Sequence, residues 1–380
     1  MIKLGDICTV VSGTTPKSDR PEYWDGNINW VTPAELTDDS DVIFESQRKI
    51  TEKAIIDSSL KPFPAGTVLL SSRAPIGKVA IAGVEMYCNQ GFKNLICSDK
   101  IYNRYLYHYL KYKTDYLNSL GRGATFKEIS KSIVENIEIP LPSLDEQRHI
   151  AAMLDKVSNL IAKRKQQLDK LDEMTKARFV EMFGSELEFN KWPCCTIGDV
   201  ADICVGVVIK PTQYYTDKGI PAFRSLNIGE MCVKDNDWVY FTDEGHRKNQ
   251  KSVIRKNDVL VVRSGAPGTA CVATEKYDGY NAVDIIIARP DNQKVNSVFL
   301  AAFTNMPHGM NQIHAKTGGA AQQHFNVSGY KSMRLIMPPI ELQNQFAAFV
   351  EQTDKSKLTI QRSCDKLEVL KKALMQRYFG

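Results

Sequence analysis

The 380-residue sequence lacks the features of a secreted or membrane-spanning protein. It opens with MIKLGDICTV, which has no basic segment followed by a long apolar run, as a signal peptide would. No stretch approaches the roughly 20 apolar residues that cross a bilayer. The nine cysteines form no Cys-x-x-Cys pair, and an odd, scattered set is typical of reduced thiols. We therefore expect a cytoplasmic protein without disulfides.

The sequence also lacks the motifs of common nucleotide-using and DNA-modifying enzymes. Ile76-Gly77-Lys78-Val79 has neither the leading glycine nor the hydroxyl residue of a phosphate-binding loop, and no glycine-rich cofactor loop follows a strand pattern. The Asn/Asp/Ser-Pro-Pro-aromatic motif, with which an amino-methyltransferase holds a flipped base, is absent, and so is the Glu-x-Lys of metal-dependent nucleases. His308 and His314 are interpreted as solvated side chains in a loop rather than metal ligands. These absences predict a binding protein with no catalytic residue and no metal site.

Length and charge leave several kinds of binding protein open. A chain of 380 residues has room for two or three domains, each long enough to bury a core. The net charge of +5 permits nucleic-acid binding, but it is low for a protein that grips a long duplex alone.

The sequence does contain a long internal repeat. Residues 142–184 align without a gap with residues 338–380, at an offset of 196 positions. The identical pairs are Pro142/Pro338, Gln147/Gln343, Ala151/Ala347, Ala152/Ala348, Asp169/Asp365, Lys170/Lys366, Leu171/Leu367, Lys176/Lys372, Ala177/Ala373, Phe183/Phe379 and Gly184/Gly380. A repeat of this length predicts a chain built from two similar halves, whose target also has two parts.

Each copy of the repeat is predicted to form one long helix. Prolines stand at the start, a Phe-Gly pair stands at the end, and neither Pro nor Gly interrupts the stretch between them. About 40 residues form a rod of about 60 Å, and apolar residues recur every seven positions, as in helices that pair along a narrow seam. The seam residues are Leu154, Ile161, Leu168, Thr175 and Met182 in the first copy and Thr353, Ile360, Leu367 and Leu374 in the second. Because a globular segment lies between the copies, we expect the two helices to pair with each other in antiparallel orientation.

The segments that precede the two helices also correspond, more loosely. Short Val- and Ile-rich runs bounded by Gly, Pro, Asn or Asp predict strands, and helices are predicted near 102–118 and 296–306. The matched segments are 28–31 with 220–223, 66–70 with 257–261, and Asn89 with Asn281.

The predicted fold class is α+β, with two mixed α/β domains separated by two long helices that form an antiparallel coiled coil with pseudo-twofold symmetry. The boundaries are 1–143 and 185–339 for the domains and 144–184 and 340–380 for the spacer helices. Loops in the first half have no close counterpart in the second, which favours domains that bind different targets, although drift after duplication explains it nearly as well.

Several stretches of the first half, in the same order, resemble type I restriction-modification specificity (S) subunits. SGTTPK at 12–17 and YWDGNINWVTP at 23–33 resemble the N-terminal segment of that family. VLLSSRAPIG at 68–77 and CNQGF at 88–92 resemble its later strands, and LPSLDEQRHI at 141–150 resembles the entry to its spacer helix. The resemblance covers essentially the whole chain, but the second half departs from it, with Ala-Phe-Arg-Ser where the first has Trp-Val-Thr-Pro.

This resemblance implies a function for each part of the chain. Each domain would be a target-recognition domain that binds one part of a split double-stranded DNA sequence, and the paired helices would fix the gap between the parts. Two methyltransferase (M) subunits would bind this chain and flip an adenine in each part, with S-adenosylmethionine held by those subunits and no cofactor on this chain. A restriction/translocase (R) subunit would join for cleavage.

Base recognition needs polar side chains that reach the major groove, and we select candidates on that ground. The four tryptophans (Trp24, Trp30, Trp192 and Trp238) are interpreted instead as core anchors, and Tyr102, Tyr105 and Tyr109 as the packed face of a helix. The DNA-binding candidates are Lys17, Arg20, Thr32, Arg73, Lys78, Lys93, Arg122 and Lys127 in the first half, and Lys210, Gln213, Tyr214, Arg224, Asn227, Arg263, Gln322, Gln323 and His324 in the second.

Two other classes of function remain open at this point. Duplicated modules on a helical pair would also suit a scaffold that binds proteins or glycans, and an enzyme that acts on nucleic acid through an unrecognised site is the third class.

Overall fold

The computed structural model describes residues 1–73, 75–123, 127–317 and 324–380. The chain divides into two compact units, and each long helix contributes to both. Unit 1 comprises Met1–Lys165 and Arg362–Gly380, and unit 2 comprises Gln166–Gln361. The sequence-based boundaries, which treat the helices as separate segments, stay a prediction.

Strands are short throughout the described residues. They are β1 Ile2–Lys3, β2 Cys8–Val11, β3 Trp24–Val31, β4 Val42–Ile43, β5 Lys49–Ile50, β6 Val68–Leu70, β7 Val79–Ala82, β8 Tyr87–Cys88, β9 Asn94–Cys97, β10 Glu138–Ile139, β11 Cys194–Thr196, β12 Ala201–Val205, β13 Tyr215–Thr216, β14 Ile220–Phe223, β15 Ile228–Gly229, β16 Cys232–Val233, β17 Val239–Phe241, β18 Val259–Val262, β19 Ala270–Val272, β20 Asn281–Ala282, β21 Ile285–Pro290 and β22 Arg334–Ile336.

The helices differ greatly in length. They are α1 Glu52–Asp57, α2 Asn103–Tyr112, α3 Thr114–Ser119, α4 Lys131–Glu135, α5 Leu144–Phe183, α6 Ile197–Val200, α7 Asp243–Lys248, α8 Ser297–Asn305, α9 Pro307–Thr317, α10 Val327–Lys331 and α11 Ile340–Phe379. The helices predicted near 102–118 and 296–306 are therefore confirmed, as α2 with α3 and as α8. No helix among the described residues is both long enough and apolar enough to cross a membrane.

The main sheets of the two units share the order of four strands, and the sheet of unit 1 has β4 as a fifth strand at its edge. In unit 1 the order is β2-β9-β6-β7-β4, and in unit 2 it is β12-β21-β18-β19. β6, β7 and β18 are buried along their whole length, because their Val-, Leu-, Ile- and Ala-rich runs are covered on both faces rather than alternating between core and solvent. Each unit also has a second sheet, and these two sheets correspond. The strand order is β5-β3-β8 in unit 1 and β13-β17-β14-β20 in unit 2, so β5, β3 and β8 are equivalent to β17, β14 and β20.

The strand registers test the segment matches made from the sequence. Val68 pairs with Ile81 and Val259 pairs with Val272, so the match of 66–70 with 257–261 is confirmed. Trp30 pairs with Tyr87, however, whereas its counterpart Ala222 pairs with Asn281. Asn281 therefore corresponds to Tyr87, and the match of Asn89 with Asn281 is wrong. The match was made because both residues are asparagine, but the pairing of β14 with β20 places Asn281 two positions away from the equivalent of Asn89.

The two long helices, α5 and α11, have 40 residues each and run antiparallel within each unit. In unit 1, Val157 and Ile161 of α5 form one buried cluster with Cys364, Leu367 and Leu374 of α11. In unit 2, Asp172 forms an ion pair with Lys357 at 2.5 Å, and further along α5 the ring of Phe179 lies 5.4 Å from that of Phe346. Residue numbers rise along one helix as they fall along the other, and every predicted seam residue is buried or half-buried.

Identical residues of the repeat anchor the helix ends. Gln147 and Gln343 are fully buried; Gln147 accepts a hydrogen bond from the Tyr102 amide at 2.8 Å, and Gln343 accepts one from the Asn296 amide at 2.9 Å. At the other ends, Phe379 packs 5.3 Å from Tyr105 in unit 1, and Phe183 packs 4.8 Å from Phe299 in unit 2. Each helix therefore begins on the core of one unit and ends in the core of the other.

The aromatic residues lie largely where the sequence predicts. Trp30, Tyr105 and Tyr109 are buried, and Trp24 and Tyr102 are half-buried against the core of unit 1. In unit 2, Trp192 and Trp238 are also half-buried against the core.

The histidine prediction is wrong in part. His308 lies not in a loop but near the start of α9, where it is buried against the rings of Phe179 and Phe303. Burial lowers its pKa below the usual range. No group of three or more potential metal ligands occurs among the described residues.

Candidate nucleic-acid interface

Four of the sequence-predicted residues lie near one another or near Glu128 in unit 1. Arg73 and Arg122 each form an isolated antiparallel bridge with Glu128. Lys93 donates from Nζ to Glu128 Oε1 at 3.1 Å and to Ser72 Oγ at 3.3 Å. Lys127 is exposed beside them. We call Ser72, Arg73, Lys93, Arg122 and Glu128 the first polar cluster.

Lys93 is the inner member of this cluster. Its side chain is only 10% exposed, whereas that of Glu128 is 42% exposed. A buried ammonium is stabilised only with a charged or hydrogen-bonded partner, so Glu128 holds Lys93 while turning part of its own carboxylate to solvent. Lys93 thus holds Glu128 in place through this ion pair. The exposed polar groups are those of Arg122, Lys127 and Glu128.

A second polar cluster (Arg263, Ser264, Asp284 and His324) stands at the equivalent place in unit 2. Arg263 forms an ion pair with Asp284 at 2.6 Å and donates from Nε to the Phe325 carbonyl at 3.2 Å. Ser264 Oγ lies 2.9 Å from His324 Nδ1. Each cluster follows a buried central strand, β6 or β18, and precedes a short helix, α4 or α10. Gln322 and Gln323 lie outside the described residues.

Equivalent positions after β3 and β14 form caps of short 3₁₀ turns. Thr32 donates from its amide and its hydroxyl to Glu35 Oε1, at 2.7 Å and 2.9 Å. In unit 2 the Arg224 amide donates to Asn227 Oδ1 at 2.9 Å, and the Arg224 guanidinium donates to the Asp237 carbonyl. Asn227 is fully buried and also donates to the Asn236 carbonyl at 2.6 Å. Its side chain is therefore committed to the turn and does not lie on a surface.

The other candidates do not join either cluster. Lys17 and Arg20 are exposed, and Arg20 is paired with Glu22 at 3.5 Å. Lys78 donates to the Leu36 carbonyl at 2.5 Å. In unit 2, Lys210 and Gln213 are exposed, and Lys210 has a left-handed φ of 44°. Tyr214 is half-buried with its ring 5.8 Å from Phe241.

Sequence reasoning missed the carboxylates that hold the predicted cations. Glu128 is 35 residues from Lys93, and Asp284 is 21 residues from Arg263. No local motif links these pairs, because the strand ladder alone brings them together. Both clusters are fixed sets of hydrogen-bond donors and acceptors, which suits recognition of polar base edges and phosphates.

The comparisons with known proteins identify the family. A family described as the type I restriction modification DNA specificity domain matches residues 1–173 and 190–371. The chain belongs to the type I restriction-modification specificity family. The MjaIX type I restriction enzyme specificity subunit of Methanocaldococcus jannaschii is 28% identical, over 99% of this chain and 91% of that protein. The EcoR124I/EcoR124II specificity subunit of Escherichia coli is 30% identical, over 41% of this chain and 40% of that protein.

Solved structures from type I restriction-modification systems share the fold. The S subunit from M. genitalium has a TM-score of 0.57 at 15% identity, over 100% of this chain and 95% of that one. A chain from a study of complex assembly and conformational transition in a type I R-M system has a TM-score of 0.59 at 18% identity, over 100% of this chain and 96% of that one. The predicted fold class and family are thus confirmed: this specificity-family chain combines two repeated mixed α/β domains with two long helices, and its family recognises DNA targets.

Proposed function

We propose that this chain is the DNA-specificity subunit of a type I restriction-modification complex and that it recognises a two-part DNA target, one part with each unit. The observation that carries the proposal is the repeated construction with different side chains at equivalent places. The central sheets share the order of four strands, and the Ile129 amide donates to the Ser72 carbonyl in unit 1 where the Phe325 amide donates to the Arg263 carbonyl in unit 2. The side chains beside this shared bond differ, with Arg73 and Glu128 in unit 1 and Ser264 and His324 in unit 2. Different donor and acceptor sets on one framework select different base pairs.

In this proposal the chain is not itself an enzyme and binds no cofactor. Two M subunits bind it, hold S-adenosylmethionine and flip one adenine in each part of the target. R subunits join the complex where cleavage occurs. The net charge of +5 fits such an arrangement, because the partner subunits supply further contacts to the DNA backbone. The complex would work in the cytoplasm, where the DNA is.

The long helices set the gap between the two parts of the target. A helix rises about 1.5 Å per residue, so one added heptad lengthens a rod by about 10 Å, which equals about three base pairs of duplex. A heptad also preserves the apolar seam.

The test is to co-express the chain with an M subunit of its own system in a host that lacks adenine methylation, and to map methylated adenines across the genome. We expect one split motif, methylated in both parts, only when both proteins are present. Methylation by the chain alone, or a continuous motif, would contradict the proposal.

A second version carries one extra heptad at the same level of α5 and α11. The two half-motifs should stay the same while the gap grows by about three base pairs. A matched variant with a heptad in α5 alone should disrupt the seam and lose activity. An unchanged gap in the double insertion would refute the spacer role.

A further inference from the structure

Arg48 is a cation of unit 1 whose backbone and side chain are both held in place. It stands immediately before β5, and its carbonyl accepts hydrogen bonds from the Trp30 amide at 3.3 Å and from Ser46 Oγ at 2.6 Å. Its guanidinium carbon lies 3.8 Å from the centre of the Trp24 ring and 5.2 Å from that of Trp30. The two indoles meet edge to face at 5.0 Å. The face of the guanidinium is therefore fixed by stacking.

The stacked guanidinium keeps its hydrogen-bonding edge for another molecule. Stacking uses the flat face of the group, whereas its N–H bonds point outward in the plane. Arg48 is exposed, and within the described parts of the chain its guanidinium forms no ion pair and no hydrogen bond. Its basic neighbours differ in this respect, since Lys49 is paired with Glu45 at 2.6 Å and Lys53 with Glu22 at 3.9 Å.

The same two indoles also hold the segment that the sequence predicts to contact DNA. Trp30 Nε1 donates to the Thr14 carbonyl at 3.1 Å, and Trp24 Nε1 donates to the Lys17 carbonyl at 3.3 Å. Arg48 and the exposed Lys17 are thus positioned by one aromatic pair, and neither pairs with a carboxylate in the parts of the chain that the structure describes.

We propose that Arg48 is a specificity-determining residue of unit 1 that donates a bidentate pair of hydrogen bonds to the O6 and N7 atoms of a guanine. This inference rests on the proposed function. A guanine edge is favoured over a phosphate because a stacked guanidinium is fixed in direction, and a fixed fork matches the two acceptors of guanine.

No stacked arginine stands at the equivalent place among the described residues of unit 2. The residue that pairs with Ala222, as Arg48 does with Trp30, is Val239, and the neighbouring Trp238 packs against Phe223 and Tyr280 instead of a cation. The proposed guanine contact therefore belongs to one half of the target only.

The test uses the complex of the chain with its M subunit and the split motif that the wild-type complex methylates. Methylation rates are measured on duplexes in which each base pair of either half is replaced in turn. Arg48→Ala and Arg48→Lys are compared with Lys53→Ala, which removes an exposed charge from the same unit. Unchanged thermal unfolding shows that the variants are folded.

We expect both Arg48 variants to lose discrimination at one G·C pair of one half-target, by about 5- to 150-fold. Discrimination in the other half should remain, and Lys53→Ala should match the wild type. A uniform loss on all duplexes, with a weaker salt dependence, would show a phosphate contact and overturn the inference. Unchanged discrimination would overturn it too. If the wild-type complex methylates no split motif, the proposed function itself fails and the inference falls with it.

Discussion

The two units pack their domains on the long helices in different ways. In unit 1 the contact between α2 and α5 is ionic: Arg104 donates to Asp155 at 3.1 Å and also pairs with Asp41, and His108 lies 2.7 Å from Asp155. In unit 2 the equivalent positions hold Val298, Ala302 and Glu351, and Glu351 pairs with Lys355 of its own helix. Rings fill this junction instead: Phe179 is stacked 5.7 Å from Phe299 and meets Phe346 edge to face at 5.4 Å.

The unit 2 contact also leaves space. A pocket of about 180 Å³ lies beside these rings, and Ala302, Met306 and Val350 form part of its wall. At its rim Lys176 pairs with Glu230 at 2.8 Å. Tyr102 and Asn296 are equivalent, because each donates its amide to one of the repeated glutamines, Gln147 or Gln343. They lie 194 positions apart, and the same spacing makes Ala302 the unit 2 equivalent of His108. The alanine side chain is smaller than the imidazole of His108, and this difference in volume leaves room for the pocket.

The repeat contains two kinds of position: those whose residues are the same in both copies and those whose residues differ. Positions that fix where a helix begins and ends kept their residues, as Gln147/Gln343 and Phe183/Phe379 show. Positions between them changed together with their partners, because either an ionic or an apolar contact fills the same junction. Four predictions test this difference.

The largest effect is expected from Phe179→Ala in unit 2. The ring is 1% exposed and contacts three other phenylalanines, so its removal should cost about 3–5 kcal/mol in the free energy of local opening. Its counterpart Met375 is half-buried, and Met375→Ala should cost about 1–2 kcal/mol in unit 1. Hydrogen exchange of α8 and α2, read peptide by peptide, measures the two. Equal losses would show that the junctions are alike after all.

The next effect is expected from Asp155→Asn in unit 1. The carboxylate holds Arg104 and His108, and a neutral amide removes the only charged partner described for His108 and one of the two carboxylates paired with Arg104, at a cost of about 2–3 kcal/mol. The matched control is Glu351→Gln at the equivalent position, where the carboxylate is exposed and pairs with Lys355 on the same helix. This change should not alter stability measurably. Exchange of α2 is again the measurement, and a protected α2 in Asp155→Asn would contradict the ionic interpretation.

A smaller effect is expected from acidification. Burial lowers the pKa of His108, although Asp155 opposes this, so below about pH 6.5 the unfolded chain binds a proton that folded unit 1 excludes. The stability of unit 1 should therefore fall between about pH 7 and pH 5. In unit 2 burial lowers the pKa of His308, but it raises that of Asp258 to about 6, and this carboxyl takes up a proton in the folded state.

Calorimetry at pH 7 and pH 5 measures how much the stability of each unit changes with pH. The transition that Asp155→Asn shifts is assigned to unit 1. His108→Gln keeps a donor for Asp155 and should flatten the unit 1 response. Hydrogen bonds from His108 and Arg104 outweigh burial and lower the pKa of Asp155, so its contribution persists until the pH falls below about 4. A steeper response in unit 2 would refute this account.

The smallest effect is expected from filling the pocket. Ala302→Val adds two methyl groups to its wall and should stabilise unit 2 by about 0.5–1 kcal/mol. The control is Ala301→Val on the same helix, where the alanine is fully buried away from the pocket and added volume should destabilise by about 1–3 kcal/mol. Thermal unfolding distinguishes the signs, and destabilisation by both would show that the pocket wall cannot accept more atoms.

Much of the architecture was predictable because it is repeated or periodic. The heptad spacing identified the seam, and Pro and Phe-Gly punctuation placed the helix ends at Leu144, Phe183, Ile340 and Phe379. The candidate interface was predicted less well. Lys93 and Arg263 were selected as DNA contacts, and the structure places both in polar clusters whose carboxylates the sequence did not indicate. Asn227 was selected for its chemistry alone and is a buried cap. Whether any candidate contacts DNA stays a prediction.

The sequence by itself determined the duplicated plan, the antiparallel helix pair and the family, since these follow from local periodicity and from matches along the chain. Only the tertiary structure decided which unit each helix end belongs to, which carboxylate holds which cation, and that Arg48 is stacked on Trp24. The physical reason is range: helix and strand patterns are written within a few neighbouring residues, whereas an ion pair or a stacked ring joins residues that only the folded chain brings together.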